Sequence, residues 1–512
     1  MARTKNSIKN IIFALCLQAV NVIGNFVIRT IMIRRLGMQA TSLNGLFTEV
    51  LAALSMAEMG VGTAIVYNLY KPLAEHDHKK VRQLMGLFKT AYRIIALATF
   101  LIGLAICPWI HYMVNSIDYS LNYIRLVYML FVVDLSMSYL FSYKVSLMNA
   151  DQKNHIQSKI SMVLKPIEVI IKVMVVLVTN NFLAYLLFSV LITVLGNIVR
   201  SYVVDQYYPW LGKNEDMLPK EERKQVFANI KNLFIKTLSG KITSSTDNML
   251  ISILVDTLQV GYYSNYSLPM GVFRQLANQV AYGGVSASLG NLLVTESEEK
   301  CAKVFYRLEY LFFVIASLAS VCIYCCITPF ILVWLKTDDF LLGKSVVFIC
   351  CLNLFMEIVN RPLWSIMEVS GLFKYDKYVS LAGSVVNLFV SIVLGMKWGM
   401  SGIFVGTFMT YLIQSVLKTV LLFRMRFHQS PLKQYGLLAC MSGGMLLQMF
   451  IADTLCNKFV FENPMAAFIV YGFISVGIVG SSTVLCTFCT DSFRYYFKMV
   501  TNTVKHIFRT RR

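Results

Sequence analysis

The sequence predicts an all-α polytopic membrane protein of about fourteen transmembrane helices, with two six-helix lobes related by a parallel repeat and a C-terminal helical hairpin. Its composition is the first evidence: 57% of the 512 residues are hydrophobic, 14% are charged, and the mean hydropathy is +0.61. Soluble domains carry roughly 25% charged residues. The second piece of evidence is a series of apolar runs of about twenty residues, which are long enough to cross a bilayer. They are centred near residues 20, 55, 102, 132, 168, 192, 242, 275, 317, 356, 386, 411, 442 and 475.

An internal repeat is the third observation. Residues 146–150 and 159–161 share their pattern of small, apolar and hydroxyl side chains with residues 365–369 and 378–380, which lie 219 positions later without a gap. A second echo relates Gly60-Val61 and Asn68-Leu69 to Gly284-Val285 and Asn291-Leu292, with a slip of one residue between the two parts. Six spans per repeat is an even number, so both repeats enter the membrane in the same orientation. The sequence therefore predicts a parallel repeat, as in transporters built from two such halves.

The first apolar run, from about residue 11 to 33, is predicted to be a retained span. A signal-peptide core has about 7–15 residues and ends at a cleavage site of small residues. This run is longer and lacks that site. The predicted organisation is an N-terminal lobe at residues 1–208, a cytoplasmic linker at 209–227, a C-terminal lobe at 228–427, and an extra hairpin with a basic tail at 428–512.

The net charge of +20 is explained by topology and does not indicate a nucleic-acid partner. Most of the 47 Lys and Arg residues fall in loops and tails on one side of the predicted spans. The opposite loops hold six: Arg34, Arg35, Lys336, Lys344, Lys397 and Lys458. This asymmetry follows the positive-inside rule, so both termini are predicted to be cytoplasmic. The tail from Lys505 to Arg512 is either an orientation signal or a contact with anionic membrane lipids.

Ionisable residues at membrane depth are costly and usually face a cavity or a partner. The basic ones outnumber the acidic ones. The basic residues are Arg29, Arg125, Lys165, Lys172, Lys236, Lys241, Arg274, Arg361 and Lys418. The acidic residues are Glu49, Glu58, Asp134, Glu168, Asp247 and Glu357.

Three predicted spans carry polar side chains at helical spacing, which places them on one helix face. These faces hold Gln18, Asn21, Asn25 and Arg29 in the first span, Lys236, Ser239, Thr243 and Asp247 in the seventh, and Arg274, Asn278 and Tyr282 in the eighth. Such residues also form hydrogen bonds between membrane helices, but an Arg or Lys among them favours a wet cavity. The predicted substrate-binding residues are Arg29, Asn25, Asn21, Lys236, Lys241, Arg274 and Asn278.

Carboxylates at membrane depth are candidates for binding a coupling H⁺ or Na⁺: Asp134, Asp247 and Glu357. Asp134 and Glu357 fall at comparable places in the two lobes. Glu357 also lies four residues before Arg361, so an ion pair within the helix is the alternative. Glu168 is likewise predicted to neutralise a lysine of its own span, Lys165 or Lys172.

Enzyme motifs are absent from the sequence. The six histidines lie in loops, tails or span ends, and no Gly-rich nucleotide loop is found. Among the twelve cysteines, Cys322/Cys325 and Cys486/Cys489 are separated by two residues, but no second pair or histidine cluster accompanies them. Most cysteines lie in apolar runs, and they are predicted to be small buried hydrophobes. We therefore predict a non-enzyme without a resident cofactor or metal. A membrane-bound glycan polymerase or acyltransferase is disfavoured, because no large outer loop or membrane histidine is present.

Several segments resemble the bacterial polysaccharide transporter family, the repeat-unit flippases for O-antigen and capsule. They are residues 29–36, Leu43-Asn44-Gly45-Leu46-Phe47, Ala57-Glu58-Met59-Gly60, residues 62–67, residues 69–75 and Thr246-Asp247-Asn248-Met249-Leu250-Ile251-Ser252. The resemblance implies the multidrug/oligosaccharidyl-lipid/polysaccharide exporter (MOP) fold in a bacterial cytoplasmic membrane. It also implies an oligosaccharide on undecaprenyl pyrophosphate as cargo, and a polysaccharide polymerase and glycosyltransferases as partners in cell-envelope polysaccharide biosynthesis. Fourteen spans resemble the lipid II flippase branch, where the extra hairpin is thought to cradle the lipid tail.

The sequence therefore predicts a flippase that moves a lipid-linked oligosaccharide from the inner to the outer leaflet by alternating access. A cation-coupled multidrug exporter of the same fold is the alternative. That alternative requires a cavity dominated by carboxylates, because its cargo is usually cationic.

Overall fold

The computed structural model describes residues 2–510 except 56–57, 59–60, 152, 212–217, 225, 227–245, 282–292 and 294–295. Within the described residues all regular secondary structure is helical, and no strand occurs. Ten of the described helices are long and apolar enough to cross a membrane. These findings confirm the predicted fold class. The chain forms two compact units, residues 1–264 and 265–512.

The described residues of the first unit form seven complete helices and the start of an eighth. They are α1 (Ala2–Leu54), α2 (Val61–Ala74), α3 (His78–Ile106), α4 (Leu121–Ala150), α5 (Asn154–Thr179), α6 (Phe182–Tyr207), α7 (Asp247–Leu254) and the start of α8 (Thr257–Asn278). Short 3₁₀ turns follow α3 (Cys107–Tyr112) and α6 (Pro209–Leu211). Polar side chains begin several helices by accepting backbone N–H bonds, as Ser120 does for α4 and Asn181 for α6.

The second unit contains the end of α8 and eight further helices. They are α9 (Glu298–Leu335), α10 (Lys344–Val359), α11 (Arg361–Val369), α12 (Phe373–Trp398), α13 (Met400–Met425), α14 (Leu432–Cys456), α15 (Pro464–Thr487) and α16 (Asp491–Thr510). The predicted extra hairpin corresponds to α14 and α15, and both helices pack against α9. Helices α12 and α13 pack closely at Gly406, where an added Cβ would overlap the Ser391 hydroxyl and backbone.

Helix α1 contains the first predicted span and continues into the second, as far as Leu54, without an intervening loop. Gly37 breaks it with φ 81° and ψ 177°, a conformation that is essentially restricted to glycine. The Thr41 hydroxyl donates to the Gly37 carbonyl at 2.7 Å just beyond the break. The outward turn that the sequence predicted near Arg34 and Arg35 is therefore a single-residue kink.

Parts of the predicted organisation fall outside the described residues. These are part of the linker, the body of the seventh span, and the positions Gly60 and Gly284 of the second echo. The predicted lobe boundaries therefore stay predictions.

We expect Gly37→Ala to destabilise the protein, because a Cβ is unfavourable at this φ and ψ. The cost should be about 1–3 kcal/mol, measured as a lower denaturation midpoint of the purified protein. Gly436→Ala is the matched control, since Gly436 lies in α14 with no atom within 4 Å of an added Cβ and without a positive φ. Equal loss in both variants, or none in either, would contradict the role given to the kink.

Candidate functional site

Arg29 is buried in the first unit and binds one backbone carbonyl beyond the Gly37 kink and one on α8. Its side chain donates to the Thr41 carbonyl at 3.4 Å and to the Gly261 carbonyl at 2.7 Å. Only 9% of the residue is exposed. Helix α8 lies close to α1 at this point: a Cβ added at Gly261 would overlap the Ser42 hydroxyl. Arg29 therefore holds the kinked part of α1 against α8.

The polar face predicted on the first span does not have one uniform environment. Asn25 is exposed, Asn21 is half-buried and Arg29 is buried. Helical spacing puts these residues on one side of α1, but neighbouring helices cover that side unevenly. The assignment of Asn21, Asn25 and Arg29 to substrate binding stays a prediction.

A polar cavity of about 230 Å³ lies within the first unit at membrane depth. Its polar lining is formed by Asn44, Thr48, Asp134, Lys172, Tyr185 and Ser189. The Lys172 ammonium lies 5.7 Å from the Tyr185 ring centroid, within range of a cation–π interaction. One Asp134 carboxylate oxygen is buried without a hydrogen-bond donor in the described part of the chain. The cavity thus combines a carboxylate with a resident cation.

Glu168 pairs with two lysines on the same helix, as the spacing on α5 predicted. Its Oε1 atom lies 3.1 Å from the Lys165 ammonium and 2.7 Å from the Lys172 ammonium. One carboxylate cannot neutralise two cations, so this group keeps one positive charge. Lys172, which also lines the cavity, carries that excess towards Asp134.

The second unit repeats this arrangement with arginines. Glu357 on α10 contacts Arg274 of α8 at 2.9 Å and forms a second ion pair with Arg361 of α11. The predicted pair Glu357–Arg361 is confirmed, but the two residues do not compensate each other completely because Arg274 shares the carboxylate. Three helices are joined at this point, and one positive charge remains.

Other predicted site residues are less defined. Asp247 begins α7 and is half-buried, while Asn278 ends α8 with its side-chain oxygen buried and without a donor among the described residues. Lys236 and Lys241 lie outside the described residues. Substrate binding by the two lysines and Asn278, and coupling at Asp247, stay predictions.

One charged group near the start of α12 and the end of α13 was not assigned from the sequence. Lys418 on α13 is 5% exposed and forms an ion pair with Asp376 of α12 at 2.9 Å. Its ammonium lies 5.6 Å from the Trp364 ring centroid, and the Arg361 guanidinium lies 4.9 Å from the same centroid. The spacing of Arg361 and Trp364, i and i+3, was the available signal. Lys418 comes from a different helix, so no local sequence pattern indicated its contact with Trp364.

A large apolar groove of about 780 Å³ runs between α9 and the hairpin of α14 and α15. Phe313, Leu437, Met441, Leu447 and Ile451 are among the apolar residues that line it. At one end it is lined by Lys303, Lys433 and Asp491, where α9 and α14 begin and α15 gives way to α16. The groove thus joins an apolar channel to a charged mouth.

Asp491 holds two cations at this mouth. Its Oδ2 atom lies 2.9 Å from Arg307 and 3.6 Å from Lys303. The hydrogen bond from Arg307 lowers the pKa of the Asp491 carboxyl, so the group is charged at neutral pH. This ion pair connects the amphipathic helix α16 to α9.

The described residues contain no group of three or more His, Cys, Asp and Glu side chains able to hold a metal ion. Both units instead combine cations and shared carboxylates within apolar helices. This arrangement is suited to binding an anion through charge-assisted hydrogen bonds.

Comparison with solved structures identifies the fold. The lipid II flippase MurJ in an inward closed conformation is similar with a TM-score of 0.65 and 14% identity, over 90% of this chain and 97% of that chain. An inward-facing multidrug resistance MATE transporter of the MOP superfamily is similar with a TM-score of 0.60 and 13% identity, over 80% and 94%. A MOP-superfamily transporter from Pyrococcus furiosus, whose binding pocket of reverse polarity suggests a different function, matches with a TM-score of 0.60 and 11% identity, over 83% and 96%.

No protein-family model and no curated protein match the chain. The structural similarity shows that the chain has the fold of MOP-superfamily transporters.

We expect Glu357→Gln to destabilise the second unit, because it leaves Arg274 and Arg361 without their shared counter-charge. Removing one partner of a buried ion pair costs about 3–5 kcal/mol, and the partial exposure of Arg274 places the expected loss near the lower figure. Chemical denaturation of the purified protein in micelles measures it. The exposed loop residue Glu462 provides the control, Glu462→Gln, with an expected change within about 0.5 kcal/mol.

The double variant Glu357→Gln/Arg361→Gln should recover part of the loss, because one of the two unpaired cations is removed. A double variant that is less stable than Glu357→Gln alone would show that charge balance is not what Glu357 provides.

Proposed function

We propose that the protein is a flippase for an oligosaccharide carried on undecaprenyl pyrophosphate. It would move this repeat unit from the inner to the outer leaflet of the bacterial cytoplasmic membrane by alternating access, for surface polysaccharides such as capsule or O-antigen. One observation carries the proposal above the others: in a MOP-type fold, the ionisable cluster around Glu357 has an excess of cations at membrane depth. Its partners would be the glycosyltransferases that build the unit and the polymerase that consumes it.

The chemistry of the cargo explains why cations are needed. A pyrophosphate cannot cross hydrocarbon unaided, because burying an isolated charge in a low-dielectric medium costs tens of kcal/mol. Guanidinium groups replace lost hydration with two parallel hydrogen bonds to phosphate oxygens. Arg274 and Arg361 are suited to this role, with Glu357 balancing part of their charge when no substrate is bound.

The groove beside the hairpin suits the lipid part of the same cargo. Its lining is mainly apolar over the length of α14, and its charged mouth lies where α9 and α14 begin. A prenyl chain could remain in this apolar channel while the polar head group moves. This use of the groove agrees with the sequence-based expectation for the extra hairpin.

Coupling to H⁺ or Na⁺ is proposed at Asp134. Its carboxylate faces a polar cavity that also contains the Lys172 ammonium. The Lys172 ammonium disfavours the binding of Na⁺ and of H⁺ at this carboxylate alike, so both ions stay candidates. Asp247 and Glu357 are weaker candidates, since Glu357 already holds two arginines.

A cation-coupled multidrug exporter is the second candidate, and the structural similarity to MATE transporters favours it. A cationic drug would require carboxylates that are not already paired with basic side chains. Glu168, Glu357 and Asp376 are paired with Lys or Arg, whereas Glu58 and Glu309 are hydrogen-bonded to Tyr92 and Gln434, and Asp134 lines the polar cavity with Lys172. The ion pairs around Glu357 in the second unit therefore favour an anionic cargo.

Deletion of the gene should cause lipid-linked oligosaccharides to accumulate on the cytoplasmic leaflet, with loss of the surface polymer. Extraction of these lipids and their accessibility to a membrane-impermeant glycosidase in inverted vesicles measure the effect. Re-expression of the intact chain is the control. Normal surface polymer combined with increased drug sensitivity would instead support the multidrug exporter.

Arg29→Glu should abolish polymer export while the protein still inserts, because it replaces a cation with a carboxylate at membrane depth. Arg35→Glu is the matched control, since it makes the same charge change at an exposed position of α1. Export is measured as surface polymer per molecule of inserted protein.

Since Arg29 also holds two backbone carbonyls, a third variant separates charge from packing. Arg29→Gln keeps N–H donors but removes the charge, so export should still fall at least about tenfold if the lost charge-assisted bond contributes about 1.5 kcal/mol or more. Wild-type export by Arg29→Gln would show that the charge has no role in transport.

A further inference from the structure

Arg361, Trp364 and Lys418 form a cluster that the predicted substrate site did not include. The indole ring of Trp364 has two cations close to it, with the Arg361 guanidinium at 4.9 Å and the Lys418 ammonium at 5.6 Å from the ring centroid. Tyr411 packs beside the indole with a centroid separation of 6.0 Å. The residues come from α11 and α13, so the cluster exists only in the folded second unit.

The depth of the cluster matches the phosphate level of the inner leaflet. Helix α10 begins at Lys344, which the loop charges place on the outer side, and Arg361 lies 17 residues further on, or about 26 Å at 1.5 Å per residue. Lys418 lies 18 residues after Met400, the outer end of α13, which gives about 27 Å. The hydrocarbon core is about 30 Å thick. Both helical segments therefore bring their cations, Arg361 and Lys418, to the inner boundary of the hydrocarbon core.

Two N–H donors in the cluster have no acceptor within the described part of the chain. They are Nε of Arg361 and Nε1 of Trp364, and both atoms are buried. A buried donor without an acceptor is unfavourable, and an oxyanion beside the indole would satisfy both. Internal pairing alone does not account for this geometry, because the existing ion pairs of Arg361 and Lys418 leave these two atoms unbonded.

Charge balance points to the same kind of ligand. The group contains the cations Arg274, Arg361 and Lys418 and the carboxylates Glu357 and Asp376. Its net charge is therefore positive in a place where hydration is limited. An anion would be attracted, while a cationic ligand would be repelled.

We propose that Arg361, Trp364 and Lys418 form the loading site for the phosphate group attached to the prenyl lipid, at the inner leaflet. Arg361 and Lys418 bind phosphate oxygens, and the Trp364 N–H donates a third hydrogen bond. This proposal rests on the proposed function for the identity of the cargo and assigns its first polar contact to residues outside the predicted site. A pyrophosphate bound there would lie next to Arg274, ready for transfer along the cationic cluster.

Binding of a soluble analogue to the purified full chain tests this assignment. The probe is geranylgeranyl pyrophosphate in detergent micelles, measured by isothermal titration calorimetry, with geranylgeraniol as the uncharged reference. Trp364→Phe keeps the ring but removes the N–H, and we expect its Kd to rise about tenfold, as for one lost bond to a charged group. Trp398→Phe, at an exposed position near the outer end of α12, is the control and should leave Kd unchanged.

The lysine is tested without leaving its carboxylate unpaired. The double variant Lys418→Gln/Asp376→Asn preserves charge balance between these two residues and should also raise Kd about tenfold. Lys344→Gln/Asp453→Asn is its matched control, because it removes an exposed ion pair at the outer end of α10. Wild-type affinity in both the Trp364→Phe and Lys418 variants, or equally tight binding of geranylgeraniol, would overturn the proposal.

Two further measurements separate related explanations. Displacement of the probe by an equal concentration of phosphatidylglycerol would assign the site to bilayer lipid and overturn a role in loading. The binding result can also be interpreted independently of the gene-deletion experiment. Normal lipid-linked sugars after deletion would reject the flippase function, whereas loss of probe binding in Trp364→Phe would still show an oxyanion site at the inner end of α11.

Discussion

The structure depends on one constraint: a carboxylate inside or beside the membrane is shared by two cations. Glu168 holds Lys165 and Lys172, Glu357 holds Arg274 and Arg361, and at the groove mouth Asp491 holds Arg307 and Lys303. The first two lie within apolar helices. The shared carboxylate offsets part of the cost of burying each cation. One positive charge in each group of three ions is left without a counter-charge from that carboxylate. That remaining charge is the reason for proposing an anionic cargo.

These shared carboxylates also connect helices that are distant in sequence. Glu357 joins α8, α10 and α11, whereas Asp491 connects the C-terminal helix to α9. Ion pairs that bridge helices can be exchanged for contacts with a ligand, since an incoming phosphate competes with the carboxylate for the same donors. The same interactions can therefore stabilise the unloaded protein and prepare it for substrate.

Arg29 has a structural role in the fold and a predicted role in substrate binding. It contacts α1 beyond the Gly37 kink and α8 by binding carbonyls of Thr41 and Gly261, and it is also the basic residue on the polar face of the first predicted span. Sequence spacing predicted its helix face but not its burial. The close approach of Gly261 to α1, which creates the second carbonyl contact, has no local signal around Arg29.

The sequence by itself determined the helical membrane class and the pairs Lys165–Glu168–Lys172 and Glu357–Arg361. Hydropathy and i, i+3 or i, i+4 spacing act within one helix, so they can be read from adjacent residues. Only the tertiary structure decided that Arg274 shares Glu357, that Lys418 meets Trp364, and that α9 forms a groove with the hairpin. These contacts join helices far apart along the chain, and helix packing sets their geometry without leaving a periodic pattern.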